Sequence, residues 1–169
     1  MLILQEININ KYNINMLDIE DFKKKLPKKS RLMGIDPGGK RVGIAISDEN
    51  KIIATPYTTL IKNKYSDFVK ELIKIVNENK IKGIVIGNPI NMDGSSSQSS
   101  QSARDLAINL SKDVTENITM WDERLSSQGA FNLSNDLGSN TSKKVSKLDQ
   151  NSAQFILQGA LDYLTKENT

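Results

Sequence analysis

Three acidic residues stand where apolar stretches end. Asp36 closes the run Leu32-Met33-Gly34-Ile35, Glu123 follows Met120-Trp121-Asp122, and Asp149 precedes Ala153 by four residues and Ile156 by seven. The 169 residues include no histidine and no cysteine, so imidazole and thiolate chemistry are excluded. What is left is carboxylate, hydroxyl and amine chemistry, or a metal held through oxygen. Oxygen donors select hard cations such as Mg2+ or Mn2+. Acids converging from separate elements can hold two such ions about 3.5–4 Å apart, an arrangement that hydrolyses phosphodiesters by activating water and neutralising phosphate charge. Bare acids sharing one rim would raise one another's pKa, and cation binding relieves that cost.

Each acid also has a plainer use. Asp36 before Pro37-Gly38-Gly39 can form a turn, Glu123 can pair with Arg124 at the surface, and Asp149 can cap or charge the first turn of a helix. Asp122 competes with Glu123, because neighbours on a strand face opposite sides. A phosphate-loop reading of Gly34 to Arg41 (GIDPGGKR) fails, since it is one residue short and lacks the Ser/Thr of that motif.

The acids need elements to position them. Arg31–Asp36 and Arg41–Asp48 read as strands around a glycine turn, and Lys51–Ile61 as a third strand broken near Pro56. Tyr65, Phe68, Val69, Leu72, Ile73 and Val76 fall on one helical stripe. Ile81–Gly87 suits a central parallel strand covered on both faces. Asn88–Gln101, rich in serine, reads as a loop beside a site, because it follows the carboxyl end of that strand. A second helix carries Ala103 to Val114, a fifth strand Asn117–Asp122, and a third helix Leu125–Leu137. Gly138–Leu148 is polar and basic, and reads as a loop, with the last helix opening near Asp149. Three strands followed by alternating helix and strand imply a mixed five-stranded sheet, an antiparallel meander plus two parallel strands, with helices on both faces. The carboxyl ends of strands one, four and five then share one edge. This is the ribonuclease-H-like architecture, although a fold alone assigns no function.

Composition sets the remaining bounds. One domain is expected over residues 31–169, with residues 1–30 a partly disordered extension in which Ile19 to Lys25 forms a short helix ended by Pro27; the true start could be Met16. No apolar run is long enough to span a membrane, and the first residues make a poor signal peptide. The net charge is +3 and the pI about 9.0, too mild to identify a nucleic-acid binder by itself. The basic residues bunch at Lys23 to Arg31, at Lys40 and Arg41, and at Lys143, Lys144 and Lys147. Aromatics make up only 5% of residues, which argues against stacking on a long single strand and favours shape recognition of structured nucleic acid.

Four segments together carry a resemblance: Gly34–Asp48 (GIDPGGKRVGIAISD), Val85–Gly94 (VIGNPINMDG), Asp122–Ser126 (DERLS) and Leu148–Asp162 (LDQNSAQFILQGALD). In this order they resemble the YqgF-type family of pre-16S rRNA nucleases, also described as Holliday-junction-resolvase-like proteins. The resemblance implies a ribonuclease-H-like fold and cytoplasmic hydrolysis of nucleic acid, with the 5′ end of the small-subunit rRNA precursor as substrate. It places the family's acids on Asp36, Glu123 and Asp149. On this reading the three hold Mg2+ or Mn2+, with Asp36 bridging both ions. Lys40, Arg41 and Arg124 lie beside the entering phosphate. Asn91 and Asp93 either orient substrate or form a turn. The rivals are a Holliday-junction resolvase acting on branched DNA, which needs a symmetric dimer, and a non-catalytic ribosome-assembly factor. A monomer or weak homodimer is expected.

Overall fold

The computed structural model describes residues 15–125 and 141–166, with side chains in the second stretch from Leu148 onward. Strands β1 (Arg31–Asp36), β2 (Arg41–Ser47) and β3 (Ala54–Ile61) form an antiparallel meander. Strands β4 (Ile81–Asn88) and β5 (Asn117–Asp122) join in parallel on the other side of β1, in the order β3-β2-β1-β4-β5. This is the ribonuclease-H-like arrangement expected from the sequence.

The near-continuous apolar runs of β1 and β4 reflect burial on both faces. Met33, Ile35, Ile84 and Ile86 pack beneath two helices, α2 (Tyr65–Glu78) and α3 (Gln98–Asp113). Leu32, Ala45, Val85 and Trp121 pack on the other face, against the last helix, α4 (Thr141–Thr165). Phe22 belongs to this second core and is fully buried. It lies in α1 (Ile19–Lys25), within the segment read as an extension, where Asp18 caps the helix by accepting from the Asp21 N–H at 2.8 Å. Strand parity then fixes the key orientation: Leu32, Gly34 and Asp36 alternate onto the α4 face.

Several boundaries differ from expectation. The break at Pro56 is a bulge: Ile44 pairs with Thr58 and Ala45 with Pro56, so Tyr57 is the extra residue on an edge strand that tolerates it. The serine-rich loop ends sooner, because the Ser97 hydroxyl accepts from the Ser100 N–H at 3.1 Å and starts α3 at Gln98. The last helix starts at Thr141 and not near Asp149, so Lys143, Lys144 and Lys147 are helical. Residues 141–148 contain no glycine or proline, and their polarity alone does not oppose a helix. The helix expected over Leu125–Leu137 falls outside the described residues, apart from Leu125, which ends a 3-10 turn over Glu123–Leu125.

Two glutamines fasten α4 to the edge strand. Gln158 donates to the Ile52 carbonyl at 2.8 Å and accepts from the Ala54 N–H at 2.9 Å, and Gln154 donates to the Ala54 carbonyl at 3.0 Å. The helix that carries Asp149 is thereby held in register over the sheet.

Candidate active site

Asp36 ends β1, the central strand of the sheet. Its neighbours on both sides are small: Gly43 is its partner on β2, and Gly87 lies on β4 one step beyond the Ile35–Ile86 pair. These glycines open the sheet surface on the α4 side. A Cβ at Gly43 would overlap the backbone carbonyl of Asp149. A Cβ at Gly87 would sit 2.5 Å from Glu123 Oε1 and 2.5 Å from Ile156 Cδ1. The first gap admits the backbone of α4, and the second admits the Glu123 carboxylate as the chain turns back after β5.

The consequence is electrostatic. Burial pushes the Asp36 carboxyl up to about 6, and the Asp149 charge adds to the rise. Burial pushes Glu123 up to about 7, with further contributions from the Asp36 and then the Asp122 charges. Asp149 itself is held by Arg41, whose Nε donates to its Oδ2 at 2.8 Å. Asp122 behaves differently from Glu123. Arg124 grips it in a fork, with Nη2 donating to Oδ2 at 2.7 Å and Nε to Oδ1 at 3.0 Å, and this holds its carboxyl below the ordinary value. Glu123 therefore carries the unneutralised charge beside Asp36, while Asp122 carries a neutralised one.

The donors are all carboxylate oxygens, which suits a hard divalent cation. Among the described residues, however, no group of three acids stands close enough to hold a metal ion. Asp36 and Glu123 share one neighbourhood, and Asp149 is turned to Arg41.

The cationic and polar candidates separate. Lys40 is exposed in the turn before β2, and its carbonyl accepts from the Lys62 N–H at 2.8 Å. Arg41 is committed to Asp149, and Arg124 to Asp122, with Asp93 also close enough to act on Arg124. Asn91 forms the turn: its Nδ2 donates to Ser95 Oγ at 3.0 Å, and its carbonyl accepts from the Gly94 N–H at 2.9 Å. Asp93 accepts from the Ser95 N–H at 2.8 Å and from its hydroxyl at 2.6 Å, so it too builds the loop.

Comparison with known proteins adds to this geometry. The family described as "RuvX: Holliday junction resolvase" matches residues 30–163. The chain belongs to this family. Its curated relatives include a "Putative pre-16S rRNA nuclease" of Pelagibacter ubique, 51% identical over 149 residues, which span 88% of this chain and 99% of that one. A protein of the same name from Rhodobacter capsulatus is 42% identical over 146 residues, 86% of this chain and 92% of that one. Among solved structures, the yeast mitochondrial Holliday junction resolvase Ydc2 aligns with a TM-score of 0.49 at 10% identity, covering 86% of this chain and 84% of that one. Thermus thermophilus RuvC bound to a Holliday junction aligns with a TM-score of 0.48 at 9% identity, covering 79% and 94%.

Sequence reasoning missed one polar cluster beside this family's loop after β4. Arg104 Nη2 donates to Ser96 Oγ at 2.9 Å, and the fully buried Ser100 donates to Asn88 Oδ1 at 2.8 Å. Arg104 Nε is buried and has no hydrogen-bond partner among the described residues. The available signal was the i, i+4 spacing of Ser100 and Arg104 on the helix. The apolar stripe of that helix gives no hint of it.

Proposed function

We propose that this chain is a nuclease whose phosphodiester hydrolysis takes place at the rim formed by Asp36, Glu123 and Asp149, and that its substrate is the precursor of the small-subunit rRNA, trimmed at its 5′ end. The observation that carries this reading is the pairing of Asp36 with Glu123. Asp36 at the end of β1 and Glu123 just after β5 are both pushed up by burial, with the Asp149 charge adding to the rise at Asp36 and the Asp36 charge to that at Glu123, and neither forms an ion pair among the described residues. A fold retains such a cost where a function uses it. The names of the relatives, pre-16S rRNA nuclease, support the substrate.

Asp36, Glu123 and Asp149 would hold Mg2+ or Mn2+, which when bound supplies charge neutralisation on the phosphate and a more acidic water. The chain's own residues do the rest. Asp36 and Glu123 fix two carboxyl groups at the rim. Arg41 holds Asp149 until it is needed and, once released, is placed beside the phosphate with Lys40. Arg124 keeps Asp122 out of the cluster and faces the loop at Asp93. We assign catalysis to residues 31–169 and a packing role to residues 15–30. Among the described residues no helix is long and apolar enough to cross a membrane. The proposed setting is the cytoplasm, with the protein working as a monomer or weak homodimer.

The family description favours a second substrate, a four-way DNA junction. A cleavage assay in Mn2+ with a precursor rRNA end and with a junction, for the wild type and Asp36→Asn, tests both. Cleavage of the RNA end that is lost in the variant is the expected result. Cleavage confined to the junction would replace the substrate, and full activity of Asp36→Asn would remove the rim from the reaction.

A further inference from the structure

At the end of the sheet opposite Asp36, where β1 and β4 begin, a cavity of about 400 Å3 is lined by Lys29, Arg31, Lys80 and Lys82 together with Glu49 and Glu78. Arg31 reaches Glu49 at 4.0 Å. Lys29, Lys80 and Lys82 are exposed, and none forms an ion pair among the described residues. Four cations against two acids leave the cavity positive.

Its wall is pre-formed. The Lys51 ammonium donates to the Lys28 carbonyl at 2.6 Å, the Pro27 carbonyl at 3.2 Å and Ser30 Oγ at 3.4 Å. The Ser30 N–H donates to the Glu49 carbonyl at 2.9 Å. The segment that presents Lys29 and Arg31 is thus tied to the turn after β2. Lys51 and Lys80 have φ of 57° and 52°, and are the described non-glycine residues in the left-handed region. Glycine or asparagine suits that conformation better than lysine does, yet both positions at this end of the sheet carry an ammonium.

The cations are spread over two chain segments and stay in solvent, with no enclosed set of donors for one small anion. Exposed lysines of this kind act as point charges on a repeating anion. We propose that this cavity is a second binding site that anchors the phosphate backbone of the nucleic-acid substrate away from the scissile bond. The proposal rests on the nuclease reading for what the anchored strand is doing there. Arg31 and Asp36 are the two ends of β1. Five residue steps at about 3.3 Å separate them by roughly 17 Å. At about 3.4 Å per base-pair step, only substrates extending at least about five steps from the cut can reach both.

The test is binding in EDTA, so that it does not depend on cleavage. Wild type and Lys29→Ala/Lys82→Ala are titrated with a hairpin RNA carrying a long duplex flank and with one whose flank is cut to about three base pairs. The double variant should bind the long RNA about tenfold more weakly near 0.15 M salt, and its logarithmic salt slope should fall by about two. Binding of the short RNA and the melting temperature should be unchanged. Lys70→Ala/Lys74→Ala, which removes two exposed charges from α2, controls for net charge. Equal loss in that control, or no difference between long and short RNA, overturns the proposal. If the binding difference is found while the wild type cleaves nothing in Mn2+, the anchoring site stands and the nuclease reading falls.

Discussion

Arg41 Nε donates to Asp149 Oδ2 at 2.8 Å, so the acid carried by α4 is held by the residue that opens β2. The pair is part-exposed, and its own contribution to stability is small. Its consequence is for the rim: a guanidinium competes with any cation for Asp149. Arg41→Ala should therefore bind Mn2+ several-fold more tightly than the wild type, seen as a larger rise in melting temperature per increment of Mn2+. Cleavage should nonetheless fall about tenfold or more, because a cation beside the phosphate is lost. Weaker Mn2+ binding in the variant would show that Arg41 organises Asp149 and does not compete for it.

The raised acids set the pH dependence of stability. Asp36 at about 6 and Glu123 at about 7 both lie above their ordinary values of 3.8 and 4.5. The folded chain therefore holds more protons than the unfolded chain from about pH 4 to pH 7, and stability falls as pH rises through that window. Asp48 and Asp122 are lowered, so their contribution is lost as pH falls below about 4. Without divalent cations, melting temperature should be highest near pH 4–5 and lower at pH 7.5, and Mn2+ should restore it at pH 7.5. Asp36→Asn should stabilise the cation-free protein at pH 7.5 by on the order of 2 kcal/mol while abolishing cleavage. A melting temperature that climbs steadily from pH 5 to 7.5 in EDTA would refute this account.

Much of this arrangement could be read from the chain because strand parity and helical spacing are local properties. Leu32, Ile35 and Ile86 announce buried strands, and Phe68, Leu72 and Val76 announce the face of α2. Asp36 stands out because it ends such a strand before a turn. What could not be read is set by tertiary neighbours. Gly43 and Gly87 look like ordinary strand glycines, and only the fold shows that the Asp149 carbonyl and Glu123 Oε1 occupy the space a side chain would need. Phe22 lies in a short helix that the sequence places in an extension, and only the fold shows that it fills the second core. Gln158 reads as a polar helix residue until the edge strand beside it supplies unpaired backbone groups. The start of α4 is not legible either, because residues 141–148 are polar and polarity suits a loop and an exposed helix equally well.

The two clearing glycines should differ in what they tolerate. At Gly87 an added methyl meets the ends of two side chains, Glu123 Oε1 and Ile156 Cδ1. Those can move, so Gly87→Ala should cost about 1–2 kcal/mol of stability, with cleavage falling more than tenfold as Glu123 is displaced. At Gly43 the obstacle is the backbone of α4, which can yield only by shifting the helix. Gly43→Ala should cost about 3 kcal/mol or more. Chemical denaturation of both variants checks the order, and a Gly87→Ala enzyme with normal activity would mean that the position of Glu123 is not critical.

Asp122 and Glu123 are adjacent carboxylates in opposite states, and removing each charge should separate their roles. Glu123→Gln deletes a charge that burial and Asp36 disfavour. It should leave the fold intact or slightly more stable at pH 7.5, and reduce cleavage by at least about 100-fold if a developing charge at the rim depends on it. Asp122→Asn deletes the acceptor of the Arg124 fork. That loss should cost about 1 kcal/mol and free Arg124, with cleavage within about tenfold of wild type and a raised KM if Arg124 then swings from its place. The comparison is a pair of kcat and KM measurements in saturating Mn2+. The reverse ranking, with Asp122→Asn the more damaging in kcat, would move the catalytic assignment to Asp122 and require β5 to present its other face to the substrate.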